Sequence, residues 1–426
     1  MQILPLTPAP DATAIATGHT TALSATNACL DRIEARDAAV KAWAFLDPAL
    51  ARANAATVDA MPGTGPLRGV PIGVKDIILT HDMPTEYNSP LYAGHSPGVD
   101  AACVELLRQA GAVILGKTAT TEFAAVGRVA ETVNPHAPGH TPGGSSSGSA
   151  AAVADGQVPI AIGTQTGGSI LRPASFCGVW ALKPSWGTVS TCGVKPFSPS
   201  LDTVGWFARS ARDLGLMLRA LTPPAPESPE AEIGELRRVA VWRTAGWSSA
   251  APATRAAMDR AIAGLEAAGV AVAELDLPDS CEGLAAAQVL VMRAEGQRSY
   301  LAEYRRDSTM LHPRMVAMVE NDPPISAADL RDAHDLAAQA RIDFDRAASA
   351  FDAVLSPSTV GEAPAGLTNS GDLIFNGLFT LLHVPCINLP LFRGPAGLPV
   401  GLTLSGPRYR DTELVRFAGQ IETMLS

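Results

Sequence analysis

The chain has 426 residues, 47% of them hydrophobic, which is enough to bury a large core in one to three domains. Its formal net charge of −10 argues against a surface that binds nucleic acid. The six cysteines are scattered without a CxxC pair, which favours reduced thiols in a cytoplasmic protein over disulfides or a zinc site. No run of eighteen or more apolar residues occurs, so we expect no transmembrane helix, and the first residues lack a basic region followed by an apolar one, so we expect no signal peptide.

The first half of the chain alternates predicted helices and strands. Polar and apolar residues alternate with helical spacing from Thr20 to Arg36, and several short apolar runs are typical of buried strands. The predicted helices cover 20–36, 101–110 and 147–154, with another starting at Ile170, and the predicted strands cover 40–46, 69–79, 112–115 and 158–162. The stretch 178–205 is interpreted as loop-rich.

The second half continues this alternation after a proline-rich stretch, 223–229, that predicts a linker or surface excursion. The patterns predict strands at 238–242, 270–277, 353–357, 386–390 and 400–404, and helices at 253–268, 375–382, 412–425 and, with breaks, 282–350. The first two strands and the helix between them form a βαβ unit. We therefore predict an α/β fold over 1–426: a single large domain whose mixed, mostly parallel sheet lies between layers of helices.

Lys75 lies next to Asp76 in the otherwise apolar run 69–79. One interpretation is a lysine at a strand end whose ammonium group reaches water. The other is a desolvated lysine whose pKa is lowered, so that it acts as a base. The pattern at 111–118 formally matches a phosphate-binding P-loop, but its variable residues are apolar and predict a strand instead.

Two loops rich in glycine and serine, at 141–149 and 163–169, flank one predicted helix and one predicted strand. Glycine lets backbone N–H groups turn toward a ligand, and a run of such groups binds an anion. Serine adds hydroxyls that attack or relay protons. The pair predicts a nucleophile beside an oxyanion hole. The G-x-S-x-G pattern at 144–148 also occurs in α/β-hydrolases, but no predicted strand leads into it here.

These motifs resemble those of the amidase signature family of serine hydrolases. The matching stretches stand in the family order: 73–76, 142–152, 163–169, 172–173 and 177–178. The two loop serines, Ser145 and Ser169, are 24 residues apart, as in the family. A weaker resemblance runs from about residue 20 to the end, which implies a single amidase domain with a signature core at about 60–215 and a variable part at about 230–426.

The resemblance implies a Ser-cisSer-Lys triad that needs no metal and no organic cofactor. Ser169 would be the nucleophile, Ser145 the proton relay after a cis peptide bond, and Lys75 the neutral buried base. The oxyanion hole would be formed by backbone N–H groups at a helix N-terminus, those of Thr166, Gly167, Gly168 and Ser169.

Within the family, the closest resemblance is to malonamidase-type enzymes, carried by the stretches 83–86, 134–136, 139–140 and 201–205. In that type, the equivalent of Arg172 holds a free carboxylate of the substrate. The alternative is a structural salt bridge at the start of the helix. The substrate-binding positions implied are Arg172, Gly144 and Thr164, and Thr164 would also support the serine relay.

The implied function is hydrolysis of a small-molecule amide C–N bond through an acyl-enzyme. The alternatives are a urethanase, which cleaves carbamates with the same triad, and the A subunit of a tRNA-dependent amidotransferase. The expected partners are a small amide or carbamate substrate, with no nucleic acid and no membrane, and the resemblance leaves a homodimer open. We expect the pocket walls to come from the stretches 80–96, 123–136, 190–207 and 355–380.

Overall fold

The computed structural model describes residues 11–63, 65–223, 234–278 and 281–425. The helices are α1 (Ala12–Ala16), α2 (Ala22–Val40), α3 (Pro48–Ala60), α4 (Ala102–Gln109), α5 (Ser147–Ala154), α6 (Leu171–Cys177), α7 (Ala211–Leu221), α8 (Pro252–Ala267), α9 (Leu284–Ser299), α10 (Leu301–Asp307), α11 (Pro313–Val319), α12 (Ala327–Ala348), α13 (Gly377–Leu381) and α14 (Asp411–Leu425). The strands are β1 (Trp43–Phe45), β2 (Pro71–Lys75), β3 (Val113–Thr118), β4 (Ile160–Gln165), β5 (Trp180–Lys183), β6 (Thr203–Ala208), β7 (Arg238–Val241), β8 (Ala271–Glu274), β9 (Ala353–Pro357), β10 (Cys386–Arg393) and β11 (Pro399–Ser405).

All the named strands form one sheet in the order β1-β3-β2-β4-β6-β5-β10-β11-β9-β7-β8. The strands β3, β2 and β4 are parallel to one another, as are β9, β7 and β8. The other six pairings between named strands are antiparallel. The predicted single α/β domain with a mixed sheet is confirmed, but the prediction that the sheet is mostly parallel is wrong, because four antiparallel strands fill its centre.

Helices cover both faces of this sheet, as the sorting of side chains along single strands shows. In β4, Ile160 and Ile162 belong to one apolar core, whereas Ala161 between them belongs to another core on the opposite face. In β6, Trp206 and Phe207 are divided in the same way. Successive strand residues point to opposite faces, so the central strands are buried on both sides. This explains why their sequences are continuously apolar.

The small-residue helix α5 packs closely against neighbouring backbone. A Cβ atom on Gly148 would lie 2.2 Å from the carbonyl oxygen of Ala42 and 2.4 Å from the amide nitrogen of Ala119. Only glycine fits such an approach. Every residue of α5 is buried. The run of alanine and serine therefore lets the helix that follows the first serine loop sit directly on the sheet.

Most predicted elements are present, including the βαβ unit of β7, α8 and β8, whose two strands are parallel. Two predictions near the site need correction. The stretch 178–205 contains β5 and the start of β6, and the strand predicted at 158–162 lies at Ile160–Gln165. After its first residue, the predicted linker 223–229 lies outside the described residues. No helix within the described ranges is both long and apolar enough to cross a membrane.

Candidate active site

Lys75 is the last residue of β2, a strand held between the parallel neighbours β3 and β4. Its side chain is fully buried. Nζ lies within hydrogen-bond distance of three hydroxyl oxygens: 2.7 Å from Ser145 Oγ, 3.0 Å from Ser146 Oγ and 2.8 Å from Thr164 Oγ1. The end of β2 therefore places the lysine amine against the first serine loop. Two of the sequence motifs, the one around Lys75 and the one around Ser145, thus meet in the structure.

Burial lowers the pKa of Lys75 well below its ordinary value, and the opposing effect of the Asp202 carboxylate is smaller. No carboxylate in the described part of the chain forms an ion pair with Lys75. The neutral form is thus favoured. A neutral amine has two N–H donors and one lone pair, so one of the three neighbouring hydroxyls can donate its proton to Nζ. Of the two interpretations drawn from the sequence, the burial of Lys75 agrees with the desolvated lysine and not with the lysine whose ammonium group reaches water.

The first serine loop runs into α5, and its Gly144–Ser145 peptide bond is cis, as the family resemblance implies. Ser146 Oγ donates to the carbonyl oxygen of Thr164 at 3.2 Å, which ties the loop to β4. In the described residues that precede the loop, turns rather than a strand lead into α5. The arrangement is therefore not the nucleophile elbow of an α/β-hydrolase.

The second loop, Thr166 to Ser169, connects β4 to α6 and has backbone N–H groups free to bind a ligand. Among the described residues, none accepts a hydrogen bond from the N–H of Gly167, Gly168 or Ser169. All three residues line the same cavity as Ser145. Such N–H groups at the start of a helix form a site for a developing oxyanion.

The carbonyl groups of this loop are held by side chains from distant segments. Gln288 Nε2 donates to the carbonyl oxygen of Thr166, and Thr380 Oγ1 donates to that of Gly167, both at 2.9 Å. Gln165 accepts from the N–H groups of Ile170 and Leu171 and donates to Thr380. Because these bonds fix both the carbonyls and the first turn of α6, they also fix the direction of the free N–H groups.

The two serines of the motifs meet at one cavity of about 430 Å³. Ser169 is 8% exposed and Ser145 is 4% exposed, so both hydroxyls lie at its inner end. Ser169 Oγ makes no hydrogen bond to any described residue. This leaves the hydroxyl of Ser169 free to face a substrate. The cavity volume is in the range of sites for small molecules.

Arg172 lines the same cavity and is buried. Its Nη1 donates to the carbonyl oxygen of Gly371 at 2.8 Å and its Nη2 to that of Gly144 at 2.7 Å. Burial lowers its pKa to about 10, and the charge of Asp372 acts weakly in the opposite direction. The salt bridge considered from the sequence is absent among the described residues. Arg172 instead connects the first serine loop to the loop that carries Gly371.

The remaining cavity walls agree only in part with the sequence-based expectation. Residues from 124–129, 368–373 and Phe197 line the cavity, as expected, and so does Thr121, just outside the expected stretch 123–136. The stretch 80–96 does not; it lines a separate open cavity of about 770 Å³ beside β1. Met292 and Arg314, from the helical region 282–350, were missed. No local motif marks them, because helix packing alone brings them to the site.

One side-chain cluster in the described residues has the ligand atoms of a metal site: His81, Asp82 and Asp100, whose ligand atoms lie within 4.8 Å of one another. Arg108 already forms ion pairs with both carboxylates, at 2.7 and 3.0 Å. None of these residues lines the cavity of Ser169. The cluster is thus an ion-pair network outside the cavity of the candidate active site.

The sequence and the structure were compared with those of known proteins, and one protein family matches both. A profile of the Amidase family matches residues 24–415. The A subunit of the glutamyl-tRNA(Gln) amidotransferase of Roseiflexus castenholzii is 34% identical over 94% of this chain and 92% of its own length. A crystal structure of an amidase superposes with a TM-score of 0.87 at 30% identity, covering 96% of this chain and 98% of the other.

A peptide amidase solved with the competitive inhibitor chymostatin superposes with a TM-score of 0.83 at 28% identity, and the match covers 97% of both chains. The family match spans both serine loops, Lys75 and most of the variable part. The chain belongs to the amidase signature family. It is a hydrolase that acts on carbon–nitrogen bonds. The closer resemblance to malonamidase-type enzymes stays a prediction.

Proposed function

We propose that this protein hydrolyses the C–N bond of a small-molecule amide with Ser169 as nucleophile, Ser145 as proton relay and Lys75 as base. One observation carries the proposal. A buried lysine with a lowered pKa lies 2.7 Å from the hydroxyl of Ser145, and Ser145 shares a cavity with the unbonded hydroxyl of Ser169. A nucleophile at a substrate cavity, with a relay beside it and a base bonded to the relay, meets the requirements of nucleophilic catalysis.

In the proposed reaction, Ser169 Oγ attacks the amide carbonyl carbon and transfers its proton to Ser145 Oγ. Ser145 in turn transfers its own proton to Lys75 Nζ, so the net result is a protonated lysine and a tetrahedral intermediate. The N–H groups of the loop Thr166, Gly167, Gly168 and Ser169 hold the oxyanion. Loss of one such donor typically costs about 3–4 kcal/mol of transition-state stabilisation.

The intermediate collapses when the C–N bond breaks and the proton on Lys75 returns, through Ser145, to the leaving nitrogen. The products of this half-reaction are an amine or ammonia and an ester of Ser169. Water then attacks the ester along the same proton path and releases the carboxylic acid. Every proton taken up by Lys75 is thus given back within one turnover.

Three further positions are proposed to shape substrate binding: Arg172, Gly144 and Thr164. Arg172 adds a positive charge to the cavity wall and holds the Gly144 carbonyl that precedes the relay serine. Thr164 donates or accepts a hydrogen bond with Lys75 Nζ at 2.8 Å and so helps to keep the amine directed at Ser145.

Two other functions are compatible with the same chemistry. A carbamate carbonyl accepts the same attack, so a urethanase is one alternative. A component of an amidotransferase is the second, and it is supported by the amidotransferase relative at 34% identity. We favour a small-molecule amidase over the amidotransferase component because the chain carries a formal net charge of −10, whereas a nucleic-acid partner favours a basic surface.

The test is a screen of the purified chain against amides, carbamates, esters and ureas, together with labelling by a fluorophosphonate. We expect Ser169→Ala to abolish both turnover and labelling, whereas Ser190→Ala, at an exposed serine outside the cavity, leaves both unchanged. Labelling that persists in Ser169→Ala would refute the nucleophile. Turnover of carbamates but not amides would select the urethanase.

A further inference from the structure

The cavity of Ser169 has an unusual balance of charge for this protein. The chain is acidic, with a formal net charge of −10. Among the described residues that line the cavity, however, the ionisable side chains are two arginines, Arg172 and Arg314, with no aspartate or glutamate. A cleft lined by one sign of charge concentrates ligands of the opposite sign. The charge distribution thus favours an anionic substrate.

The two arginines differ in what they already bind. Arg172 is 5% exposed, and its Nη1 and Nη2 each donate to a backbone carbonyl, whereas its buried Nε has no partner among the described residues. Arg314 is exposed, and in the described part of the chain no carboxylate lies within ion-pair distance of it. Since Ser169 and Arg172 lie at the buried end of the cavity, Arg314 lies at its solvent-facing end.

A positive side chain at the position of Arg314 does not stabilise the helix that carries it. Arg314 lies in the first turn of α11, where the His312 side chain accepts a hydrogen bond from the Arg314 backbone N–H. A positive side chain there opposes the helix dipole. Among the described residues, the guanidinium has no hydrogen-bond, ion-pair or ring partner that would offset this, and Arg314 lines the cavity.

We propose that Arg314 binds a carboxylate at the end of the substrate remote from the scissile bond, so that the preferred substrates are small amides of dicarboxylic acids. This inference rests on the proposed amidase function. A guanidinium recognises a carboxylate by two parallel N–H···O bonds, which lysine does not provide. The distance between Arg314 and the serine end of the cavity then selects the length of the acyl chain.

The experiment measures kcat/KM for monoamides of malonic, succinic, glutaric and adipic acid and for neutral primary amides of the same lengths. Arg314→Gln is compared with wild type, and Arg305→Gln, at an exposed arginine outside the cavity, is the matched control. We expect Arg314→Gln to lower the anionic-to-neutral ratio about fivefold, the value for an exposed ion pair of about 1 kcal/mol. Because exposed pairs are screened by salt, the difference should largely vanish in 1 M NaCl.

The effect should be largest at one acyl length and absent in Arg305→Gln. An unchanged ratio in Arg314→Gln at every length, in an enzyme that hydrolyses amides, would overturn the assignment of Arg314. If no amide is hydrolysed at all, the proposed function fails by itself. Calorimetry with glutarate then decides the anion site: binding that is lost in Arg314→Gln supports it, and no binding to wild type refutes it.

Discussion

At the scale of single residues, the most informative feature is a lysine amine enclosed by hydroxyl groups. Lys75 Nζ has three hydroxyl oxygens within 3.0 Å, and burial lowers its pKa. The same burial that makes the amine a base also costs stability, because a charged lysine must lose its proton when the chain folds. This coupling makes the protonation state of Lys75 measurable without any substrate.

We predict that wild type gains stability relative to Lys75→Met as the pH rises. Below the ordinary lysine pKa of 10.5, the unfolded chain binds a proton at Lys75 that the folded chain does not bind. The difference in the free energy of unfolding should therefore rise by about 1.4 kcal/mol per pH unit between the lowered pKa and 10.5. Urea denaturation of both proteins between pH 7 and 9.5 measures this slope.

Lys41→Met serves as the control, because Lys41 is exposed and pairs with Glu131 at the surface. Its stability curve should run nearly parallel to that of wild type. If the curve of Lys75→Met is also parallel to wild type, Lys75 is charged in the folded protein. In that case the base of the proposed mechanism would have to be found elsewhere.

The sequence predicted the residues of the proposed reaction, but not the side chains that bond to the carbonyl groups of the second serine loop. Lys75, Ser145 and Ser169 lie in local motifs whose order and spacing resemble a known family, and the structure brings Lys75 and the two serines to one site. Gln288 and Thr380 lie more than a hundred residues away in helices without any motif. Their roles depend on how helices α9 and α13 pack against the loop, which no local pattern records.

At the scale of elements, the loop between β4 and α6 is held from outside by hydrogen bonds to its carbonyl groups. Thr380, on α13, donates to the carbonyl oxygen of Gly167 and accepts from Gln165. We predict that Thr380→Val lowers kcat about tenfold or more and changes KM little, because misdirected N–H groups lose part of the oxyanion stabilisation. Steady-state kinetics on an amide that the wild type hydrolyses measures kcat and KM separately.

The matched control is Thr222→Val, since Thr222 Oγ1 also donates to a backbone carbonyl, that of Leu218, at 2.7 Å. Thr222→Val loses this one hydrogen bond, worth about 1 kcal/mol, whereas Thr380→Val also loses the bond that Thr380 accepts from Gln165. Thr222→Val should therefore lose some stability and keep its kcat. Equal kinetic effects of the two substitutions would show that Thr380 acts only through general stability.

Arg172 connects two other elements, the first serine loop and the loop at Gly371. We predict that Arg172→Met lowers the free energy of unfolding by about 3 kcal/mol, because the buried Gly144 carbonyl and the partly buried Gly371 carbonyl both lose charged donors. Urea denaturation measures the loss, and Arg172→Lys should recover only part of it, since lysine lacks the planar fork. A loss below about 1 kcal/mol, the value of one ordinary hydrogen bond, would contradict the connecting role.

Elements were predicted best where their apolar runs are long and worst in the sheet centre. The strands β5 and β6 lie in or next to the stretch 178–205, where glycine and proline indicate loops. These strands are four and six residues long, and antiparallel partners on each side complete their hydrogen bonds. The sequence pattern predicted the parallel βαβ unit. It did not predict the pairing between short strands that lie far apart in the sequence.

At the scale of the whole molecule, the single sheet and the helices that cover it bring residues from distant parts of the chain together at the cavity of Ser169. The relative from Roseiflexus castenholzii is, by its name, one component of a larger assembly. In this chain, β2 places the lysine, β4 and α6 place the second serine loop, and α9, α11 and α13 complete the walls and supports. The described residues thus include every position proposed for the reaction.

We therefore predict that the purified chain hydrolyses small amides without any other polypeptide. Its specific activity should stay constant when the protein is diluted about a hundredfold, because each chain contains the residues proposed as base, relay, nucleophile and oxyanion loop. Light scattering after size-exclusion chromatography gives the assembly at each concentration, so a homodimer that dissociates without loss of activity still agrees with the prediction. Activity that falls in step with dissociation would show that a second copy completes the site. Amide hydrolysis that appears only after the other components of an amidotransferase are added would instead favour the amidotransferase function.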